Sequence, residues 1–261
     1  MLMLRNRLIF SLIYADGFFM QSRNFRLQRV GDINWLERNY NFRNIAFSLD
    51  ELLIFNASRK EKFIDEFCKV VRRLAGSVFL PIAAGGGIES LTHVEQLFKN
   101  GADKVTLNTM LIRDPEMVQK ISSTYGAQSI VAVVDYRTID GEAVAFIGNG
   151  NEQVSDCFDE HLRRIQSLGV GEIMLNSIDK DGTGFGYDLT TIEKYQKECD
   201  VPLILSGGAG NEKHLNEGIQ SQGVSAVSTA NLFNFIGNGL PNARRYLIEN
   251  ERNFARWYQD E

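Results

Sequence analysis

The chain repeats part of its own sequence at a fixed offset of 122 residues. Residues 82–87 read IAAGGG, and residues 204–209 read ILSGGA at the equivalent positions. The same offset relates Gly101 to Gly223. A register that several segments share indicates a duplicated architecture, whereas a single motif could recur by chance.

The duplication is broken at one acidic position. Asp135 ends the apolar run 130–134, and the residue 122 positions earlier is Ile13, at the end of the run 8–12. A carboxylate at a strand end can act as a general acid or base, whereas an isoleucine side chain cannot transfer a proton. The alternative for Asp135 is a side chain that only caps a loop.

Short apolar runs alternate with amphipathic segments of helical length along the 261 residues. The pattern predicts eight strands, at 8–13, 51–55, 78–84, 104–107, 130–135, 172–176, 203–206 and 226–229. It predicts eight helices, at 34–42, 60–74, 91–99, 115–124, 157–168, 189–198, 212–220 and 240–250. Together with the half-chain repeat, this alternation predicts an α/β fold. We expect a single (β/α)8 TIM barrel over residues 1–261, with internal duplication of the half-barrel, in preference to an open doubly wound sheet.

Composition and charge argue against several functional classes. The formal net charge is −5 and no long basic run occurs, so we expect no nucleic-acid binding. No apolar run reaches the roughly 20 residues that cross a bilayer, so we expect no membrane span and a cytoplasmic protein. The cysteines and the three histidines lack metal-binding spacing. We therefore expect no metal site and no other cofactor, and we expect His93, His161 and His214 on helix surfaces.

Glycine-rich turns at 85–87 and 207–210 each follow a strand and precede a helix. Glycine lets backbone N–H groups approach a phosphate closely, and a helix N-terminus adds a favourable dipole. Asn108 and Thr109 end the next strand of the first half, and Asn231 lies at the corresponding point of the second. The pattern predicts two phosphate sites at one rim of the barrel. A purely structural role of the turns is the alternative.

Two long loops and three acids follow strands at the same rim. The first loop, 17–31, is rich in arginine and aromatic residues, which suits either a lid over a substrate or a solvated basic loop. The loop 140–154 is predicted as a hairpin or a turn-rich flap. Among the acids after the sixth strand, Asp181 is the one we favour for positioning a loop or binding substrate hydroxyl groups.

Charged residues stand at the starts of four strands, which belong to the opposite, N-terminal face of a barrel. Two are cations and two are anions: Arg7, Glu51, Lys104 and Glu172. Such a set could close into a ring of ion pairs. The alternative is a set of solvated charges, which contribute only about 0–1 kcal/mol for each exposed pair.

Together these motifs resemble the HisF family, the cyclase subunits of imidazole glycerol phosphate synthase, over nearly the whole chain. The resemblance rests on the segments 85–88 (GGGI), 101–109 (GADKVTLNT), 171–183 (GEIMLNSIDKDGT), 186–188 (GYD) and 206–210 (SGGAG). The resemblance implies a half-barrel-duplicated (β/α)8 barrel that takes ammonia from a glutaminase partner, HisH, at the barrel bottom. Ammonia then passes a four-residue salt-bridge gate and the barrel interior to reach the top.

The resemblance assigns roles by position. The gate would be Arg7, Glu51, Lys104 and Glu172, and the residues facing the glutaminase would be Asp103 and Gln128. Asp135 matches one of two catalytic aspartates. The phosphate sites map onto Gly87, Asn108 and Thr109 on one side, and onto Asp181, Gly182, Gly208, Ala230 and Asn231 on the other, where Asn231 replaces the usual serine.

The departures from the family pattern cluster at the top of the first two strands. The second catalytic aspartate falls at Ile13, the lysine of the substrate lid falls at Gln21, and a strand-end aspartate falls near Ile54. This pattern is similar to the HisF paralogs of surface-polysaccharide gene clusters, the WbuZ/AglZ-type group, which is associated with acetamidino sugar modification. There, a HisH-like glutaminase and a HisF-like protein are thought to supply ammonia to a separate sugar amidotransferase.

Three hypotheses about function follow. The first is an ammonia-channelling subunit of an amidotransferase complex in lipopolysaccharide biosynthesis. The second is a working imidazole glycerol phosphate synthase cyclase, a lyase of histidine biosynthesis that uses ammonia and a bisphosphorylated ribotide. The third is a non-catalytic scaffold that binds a phosphate-bearing small molecule and regulates a partner.

Overall fold

The computed structural model describes residues 5–40, 42–45, 47–59, 64–232, 234–250 and 252–256. In chain order its strands are β1 (Arg7–Ala15), β2 (Phe18–Arg23), β3 (Arg26–Gly31), β4 (Glu51–Asn56), β5 (Ile82–Gly85), β6 (Lys104–Leu107), β7 (Ile130–Ile139), β8 (Glu142–Ile147), β9 (Glu152–Gln153), β10 (Glu172–Ser177), β11 (Leu203–Ser206) and β12 (Val224–Thr229). Eight of these described strands pair in parallel in the order β1-β4-β5-β6-β7-β10-β11-β12. Strand β12 pairs with β1 and closes the sheet, which confirms the predicted barrel.

Helices follow the barrel strands on the outside. They are α1 (Ile33–Asn39), α2 (Phe42–Ile45), α3 (Ile64–Ala75), α4 (Leu91–Lys99), α5 (Met110–Arg113), α6 (Pro115–Tyr125), α7 (Phe158–Ser167), α8 (Leu189–Tyr195), α9 (Glu212–Gln220) and α10 (Gly239–Glu249). Short 3₁₀ turns cover Ala127–Ser129 and Gln196–Glu198. The Asp114 carboxylate accepts the Met117 N–H and caps α6, whose first residue is Pro115. Residues 60–63 of the predicted helix 60–74 lie outside the described residues.

Three predicted features differ from the structure. The strand predicted at 78–84 begins only at Ile82, because Pro81 has no N–H group to give to a parallel ladder. The helix predicted at 34–42 ends at Asn39, where Tyr40 turns to extended backbone and its hydroxyl donates to the Leu232 carbonyl. His161, predicted on a helix surface, is buried with 3% of its surface exposed.

Both halves of the barrel extend their first strand into an antiparallel hairpin. Strand β1 turns at Asp16-Gly17 into β2, and β7 turns at Asp140-Gly141 into β8. Both turns hold two consecutive residues at positive φ, which is the geometry that Asp-Gly favours in tight hairpins. The predicted loop 17–31 is therefore a hairpin of β2 and β3, and the predicted hairpin in 140–154 is confirmed as β8 and β9.

The core has two parts that the barrel wall separates. The larger part fills the space between strands and helices. The smaller part lies inside the barrel and consists of Ile9, Leu53, Ala83, Val131, Val133, Met174, Ile204 and Ala226. No helix in the described ranges combines the length and apolar character needed to cross a bilayer.

Candidate functional site

Four charged side chains close the bottom of the barrel in a ring. The Arg7 guanidinium donates to Glu51 Oε2 at 2.8 Å and pairs with Glu172 on its other side. The Lys104 ammonium lies 3.1 Å from Glu51 Oε2 and 3.0 Å from Glu172 Oε2. Each cation therefore bridges both carboxylates, and the ring is neutral as a whole. The alternative of separate solvated charges is wrong, whereas the role of the ring as an ammonia gate stays a prediction.

The ring is buried unevenly. Glu51 is 2% exposed, and the Arg7 and Lys104 side chains are 21% and 19% exposed. Burial raises the pKa of Glu51, and the nearby Lys104 and Arg7 charges oppose that rise. Burial also acts against the Arg7 charge, but Glu172 and Glu51 outweigh it and raise the pKa of Arg7. The cations are thus the members that can reach the outside, and Glu51 is the inner anchor.

Above the ring, a layer of apolar side chains fills the barrel interior. Ile9, Leu53 and Met174 are fully buried there. The Ser11 and Ser228 hydroxyls then form a hydrogen bond of 2.6 Å across neighbouring strands. The ring, the apolar layer and the top cavity lie in succession along the strands.

A cavity of about 750 Å³ lies at the top of the barrel, over the carboxyl ends of the strands. Asp135 and Ile13 both line it, as does Asn176. Asp135 is 8% exposed, and its Oδ1 accepts a hydrogen bond from Asn176 Nδ2 at 2.7 Å. Asp135 therefore presents to the cavity a carboxylate with an oriented amide neighbour, and the equivalent position in the other half is a hydrocarbon.

The predicted phosphate residues of the first half line this cavity. Gly87 has a φ of +78°, and its N–H donates to no other residue in the described ranges. Asn108 Nδ2 donates to the Val133 carbonyl at 3.0 Å. Thr109 Oγ1 accepts the Gly148 N–H at 3.2 Å. These side chains fix the β7–β8 hairpin and leave the Gly87 amide open to the cavity.

The predicted phosphate residues of the second half have different contacts. Asp181 is buried, and its carboxylate accepts the Ser22 hydroxyl at 2.5 Å and the Phe25 N–H at 3.0 Å. Burial raises the pKa of Asp181, and these two donors oppose the rise. Of the two roles predicted for Asp181, loop positioning fits this geometry, because its carboxylate holds hairpin β2–β3. Gly182 packs directly under Ser22.

The rest of the second group surrounds the end of β12. The Gly208 carbonyl accepts the Gly186 N–H at 2.9 Å, and Asn231 Oδ1 accepts the Asn234 N–H at 2.9 Å. Ala230 lies between β12 and Asn231 and is half-buried. Gln21 Oε1 accepts the Leu232 N–H at 3.0 Å. The structure thus brings the predicted residues together, but without an opening to the main cavity.

The family model described as "Histidine biosynthesis protein" matches residues 48–237. The chain belongs to the HisF family. It is 46% identical over 256 residues to a protein of Parasynechococcus marenigrum (strain WH8102) that is provisionally named imidazole glycerol phosphate synthase subunit hisF2, covering 98% of this chain and 95% of that protein.

Two further relatives carry the name imidazole glycerol phosphate synthase subunit HisF. The protein of Chlorobium luteolum is 33% identical over 246 residues, covering 94% of this chain and 96% of the relative. The protein of Chlorobaculum tepidum is 34% identical over 248 residues, covering 95% and 97%. The resemblance read from the motifs is therefore confirmed at the level of the family.

On this HisF-family barrel, the residues predicted to face a glutaminase lie at the bottom. Asp103 Oδ2 accepts the Ile82 N–H at 2.8 Å, so its carboxylate also fixes the start of β5. Gln128 is exposed and donates to the Tyr125 carbonyl at 3.2 Å. The sequence reasoning missed Phe79, which stands 87% exposed beside Asp103 on the same face.

The reasoning also missed how hairpin β2–β3 closes over the barrel. Phe25 lines the cavity at the hairpin tip, and its ring lies against Gly150 of the opposite hairpin. The Arg59 guanidinium donates to the Phe25 carbonyl at 2.6 Å. The tip is therefore bound to the β10 side through Asp181 and to the β4 side through Arg59. A basic loop with no glycine at its tip gave no signal for this arrangement.

Proposed function

We propose that this chain is the ammonia-channelling subunit of a glutamine-dependent amidotransferase complex. The observation that supports this proposal is a closed ring of ion pairs at the base of the barrel, formed by Arg7, Glu51, Lys104 and Glu172. It is combined with Ile13, which lines the top cavity at the position where the second acid would be expected. The bottom face fits delivery of ammonia. The top face lacks one of the two acids that cyclase chemistry of the HisF type uses.

The interior suits a small neutral molecule. Ammonia carries no charge, so an apolar passage costs it far less than it would cost ammonium or another ion. Leu53, Val131 and Met174 belong to the layer directly above the ring, and all are fully buried. The layer therefore favours delivery of NH₃ and disfavours entry of bulk water and ions.

The ring must open for ammonia to pass, and its construction suggests which member moves. Breaking one partner out of a buried ion pair costs about 3–5 kcal/mol when the other charge stays unpaired. Lys104 can leave while Arg7 still pairs with both carboxylates, so no carboxylate is then left alone. Arg7 could leave in the same way, but it also donates to the Ser225 hydroxyl, so movement of the Lys104 ammonium breaks fewer hydrogen bonds.

The proposed partners follow from the two faces. A HisH-like glutaminase would dock at the bottom face around Asp103, Gln128 and the gate. A sugar amidotransferase would receive ammonia at the top and convert an acetamido group of a surface-polysaccharide sugar, as in a lipopolysaccharide O-antigen, into an acetamidino group. The relatives' names support the first partner more directly than the second, since they refer to imidazole glycerol phosphate synthase.

An isotope competition tests the conduit. The complex, purified from its native cell through a tag on this chain, receives amide-¹⁵N glutamine with excess unlabelled ammonium. Mass spectrometry then follows ¹⁵N in the acetamidino group of the glycan precursor. A conduit predicts ¹⁵N enrichment well above that of bulk ammonium, and Lys104→Ala should reduce it. Lys69→Ala, which removes an exposed lysine on the outer helix α3, is the control. The proposal is contradicted if, with the natural chain, the ¹⁵N enrichment of the acetamidino group equals that of the bulk ammonium. It is also contradicted if Lys104→Ala leaves the enrichment unchanged.

The second candidate is an imidazole glycerol phosphate synthase cyclase. It is favoured by Asp135, which faces the cavity beside Asn176, and by Gly87, whose N–H group is open to the cavity. Incubation of the purified chain with ammonium and the bisphosphorylated histidine-pathway ribotide separates the two candidates. The conduit proposal predicts turnover at least about 10²-fold below that of a competent cyclase, because loss of a general acid or base lowers the rate by about 10²–10⁴-fold. Turnover near that of a competent cyclase would establish the second candidate instead.

A further inference from the structure

Hairpin β2–β3 carries an excess of positive charge. Residues 18–31 contain three arginines and no aspartate or glutamate, in a chain whose formal net charge is −5. The three arginines are exposed, and none of them pairs with a carboxylate in the described part of the chain: Arg23, Arg26 and Arg29. Carboxylates do neutralise other arginines on the outside of the barrel: Arg73, Arg113, Arg137 and Arg163. The hairpin therefore concentrates positive charge that the described residues leave without a counter-ion.

Two of these arginines lie directly opposite each other. Arg23 ends β2, Arg26 begins β3, and the two are cross-strand partners beside the tip. Like charges directly opposite in an antiparallel pair destabilise a hairpin. The tip residues Asn24 and Phe25 are both at positive φ, which is an unusual conformation for a phenylalanine. Backbone strain of this kind clusters at functional sites, where the surrounding structure must hold it in place.

The arginine pair points away from the top cavity. Ser22 and Leu27, the neighbouring cross-strand pair, both line the cavity. Successive side chains of a strand point to opposite faces, so Arg23 and Arg26 project outward, and neither lines the cavity. Their charge is thus offered to another surface and not to a molecule inside the cavity.

The tip that carries the pair is held firmly. The Asn24 N–H donates to the Asp181 carbonyl at 3.0 Å, and Asn24 Nδ2 donates to the Asp179 carbonyl at 2.9 Å. On the other side, the Arg59 guanidinium donates to the Phe25 carbonyl at 2.6 Å. A backbone that is already ordered loses less conformational entropy when a partner binds, which favours association.

The outward face of the hairpin continues into an exposed aromatic residue of the second half-barrel. Gln21, on the same face as Arg23, accepts the Leu232 N–H at 3.0 Å, so this face is turned toward the end of β12. Gly182, in the loop after β10, lies directly against the backbone of Arg23. The same loop carries Phe185, which is 81% exposed. Arginine and aromatic residues are both enriched in protein interfaces.

We infer that Arg23, Arg26 and Phe185 form the surface on which the ammonia-accepting enzyme docks, and that this enzyme presents carboxylate groups and an apolar pocket there. Guanidinium groups match carboxylates through paired hydrogen bonds, so charge complementarity selects an acidic protein surface. The inference rests on the proposed function, which requires an acceptor enzyme at the top face. It adds where that enzyme binds and by which chemistry it is recognised, beside the mouth of the cavity and not inside it.

Arg23→Glu separates recognition from folding. The new carboxylate lies opposite Arg26 and forms an attractive cross-strand pair, so denaturant unfolding should show a chain at least as stable as the natural one. In the isotope experiment above, we expect the ¹⁵N-labelled acetamidino product formed per glutamate released to fall at least about tenfold, because the reversed charge meets the carboxylates of the partner. Glutamate release itself should stay unchanged. Lys120→Glu, the same charge change at an exposed position of α6, should alter neither quantity.

Photo-crosslinking in the native cell identifies what covers the surface. Benzoylphenylalanine replaces Gln28 of the tagged full chain, an exposed residue on the same outward face, or Lys120 as the control. We expect Gln28 alone to give a crosslink to an acidic segment of a protein that is not the glutaminase. A crosslink to any other segment, including a second copy of this chain, or no crosslink, overturns the inference.

An unchanged product ratio in Arg23→Glu overturns it as well. An inference that fails alone leaves the ¹⁵N enrichment of the natural chain intact, whereas failure of the proposed function abolishes that enrichment.

Discussion

Gly86 occupies a backbone position that no side chain can share. Its φ is +104°, and a Cβ would overlap the carbonyl oxygen of Asn56 on the neighbouring strand. The repeat-equivalent Gly208 has a φ of +110°, and a Cβ there would overlap the Gly186 carbonyl oxygen. The duplication is thus visible at single residues, because both halves place a backbone carbonyl where a Cβ atom would stand.

Gly86→Ala should cost more stability than strain at positive φ alone explains. The matched control is Gly141→Ala, whose φ is +83° and whose Cβ would meet nothing within 4 Å. We expect about 1–2 kcal/mol for Gly141→Ala from the backbone conformation. Gly86→Ala should cost more than about 3 kcal/mol, since the Asn56 backbone must move. Denaturant unfolding measures both, and equal costs would mean that the contact with Asn56 does not constrain the turn.

His161 makes the stability of the protein depend on pH. Burial lowers its pKa from 6.5 to about 4, so the folded chain keeps it neutral where the unfolded chain takes up a proton. Stability is therefore fully present above about pH 6.5 and is lost as the pH falls toward 4, by up to about 3 kcal/mol. His161→Leu should remove this slope. The control Ile165→Val, on the same helix, should lower the free energy of unfolding by the same amount at every pH in that range. If the free energy of unfolding of His161→Leu still fell with pH as in the natural chain, His161 would not be the group responsible.

At the scale of elements, hairpin β2–β3 depends on a few polar anchors. Asp181→Ala leaves the Ser22 hydroxyl and the Phe25 N–H without their acceptor. We expect faster amide hydrogen exchange over residues 18–31, because the hairpin tip loses its hold on the β10 side. Asp179→Ala is the control, since that acid pairs with Arg137 on β7 instead. Unchanged exchange in Asp181→Ala would show that other contacts hold the hairpin.

The same hairpin marks the limit of what could be predicted from the sequence. Tight hairpin turns usually carry glycine, but this tip is Asn24-Phe25, both at positive φ, so the turn signal was missing. The Ser22–Asp181 bond joins residues 159 positions apart and arises only when the barrel has closed. By contrast, the burial of His161 was predictable, because it follows Phe158 and precedes Leu162 and Ile165 at helical spacing.

The barrel and the ring were predictable because both follow from strand order and strand starts. Parallel strands bring their first residues to one face, so Arg7, Glu51, Lys104 and Glu172 had to lie at the same end once the barrel was inferred. The sequence could not tell which of the two groups of predicted phosphate residues would line the top cavity. Both groups have a glycine-rich turn, and Gly87, Asn108 and Thr109 of the first group line the cavity.

At the scale of the whole molecule, the proposed function gives the two faces of the barrel different roles: the bottom face receives ammonia and the top face uses it. Two exposed phenylalanines mark these faces: Phe79, 87% exposed at the bottom, and Phe185, 81% exposed at the top. Exposed aromatic residues are frequent anchors of protein interfaces. Because both side chains lie largely in solvent, aspartate at either position should leave the fold intact.

The most direct measurement is glutamine hydrolysis in material that co-purifies with the tagged full chain from its native cell. Glutamate formed from glutamine reports whether a glutaminase is bound. We expect this activity with the natural chain and with Phe185→Asp, and its loss with Phe79→Asp, because a carboxylate there disrupts an apolar contact at the bottom face. Absence of glutaminase activity from the natural complex, or its full retention in Phe79→Asp with loss in Phe185→Asp, would contradict the account.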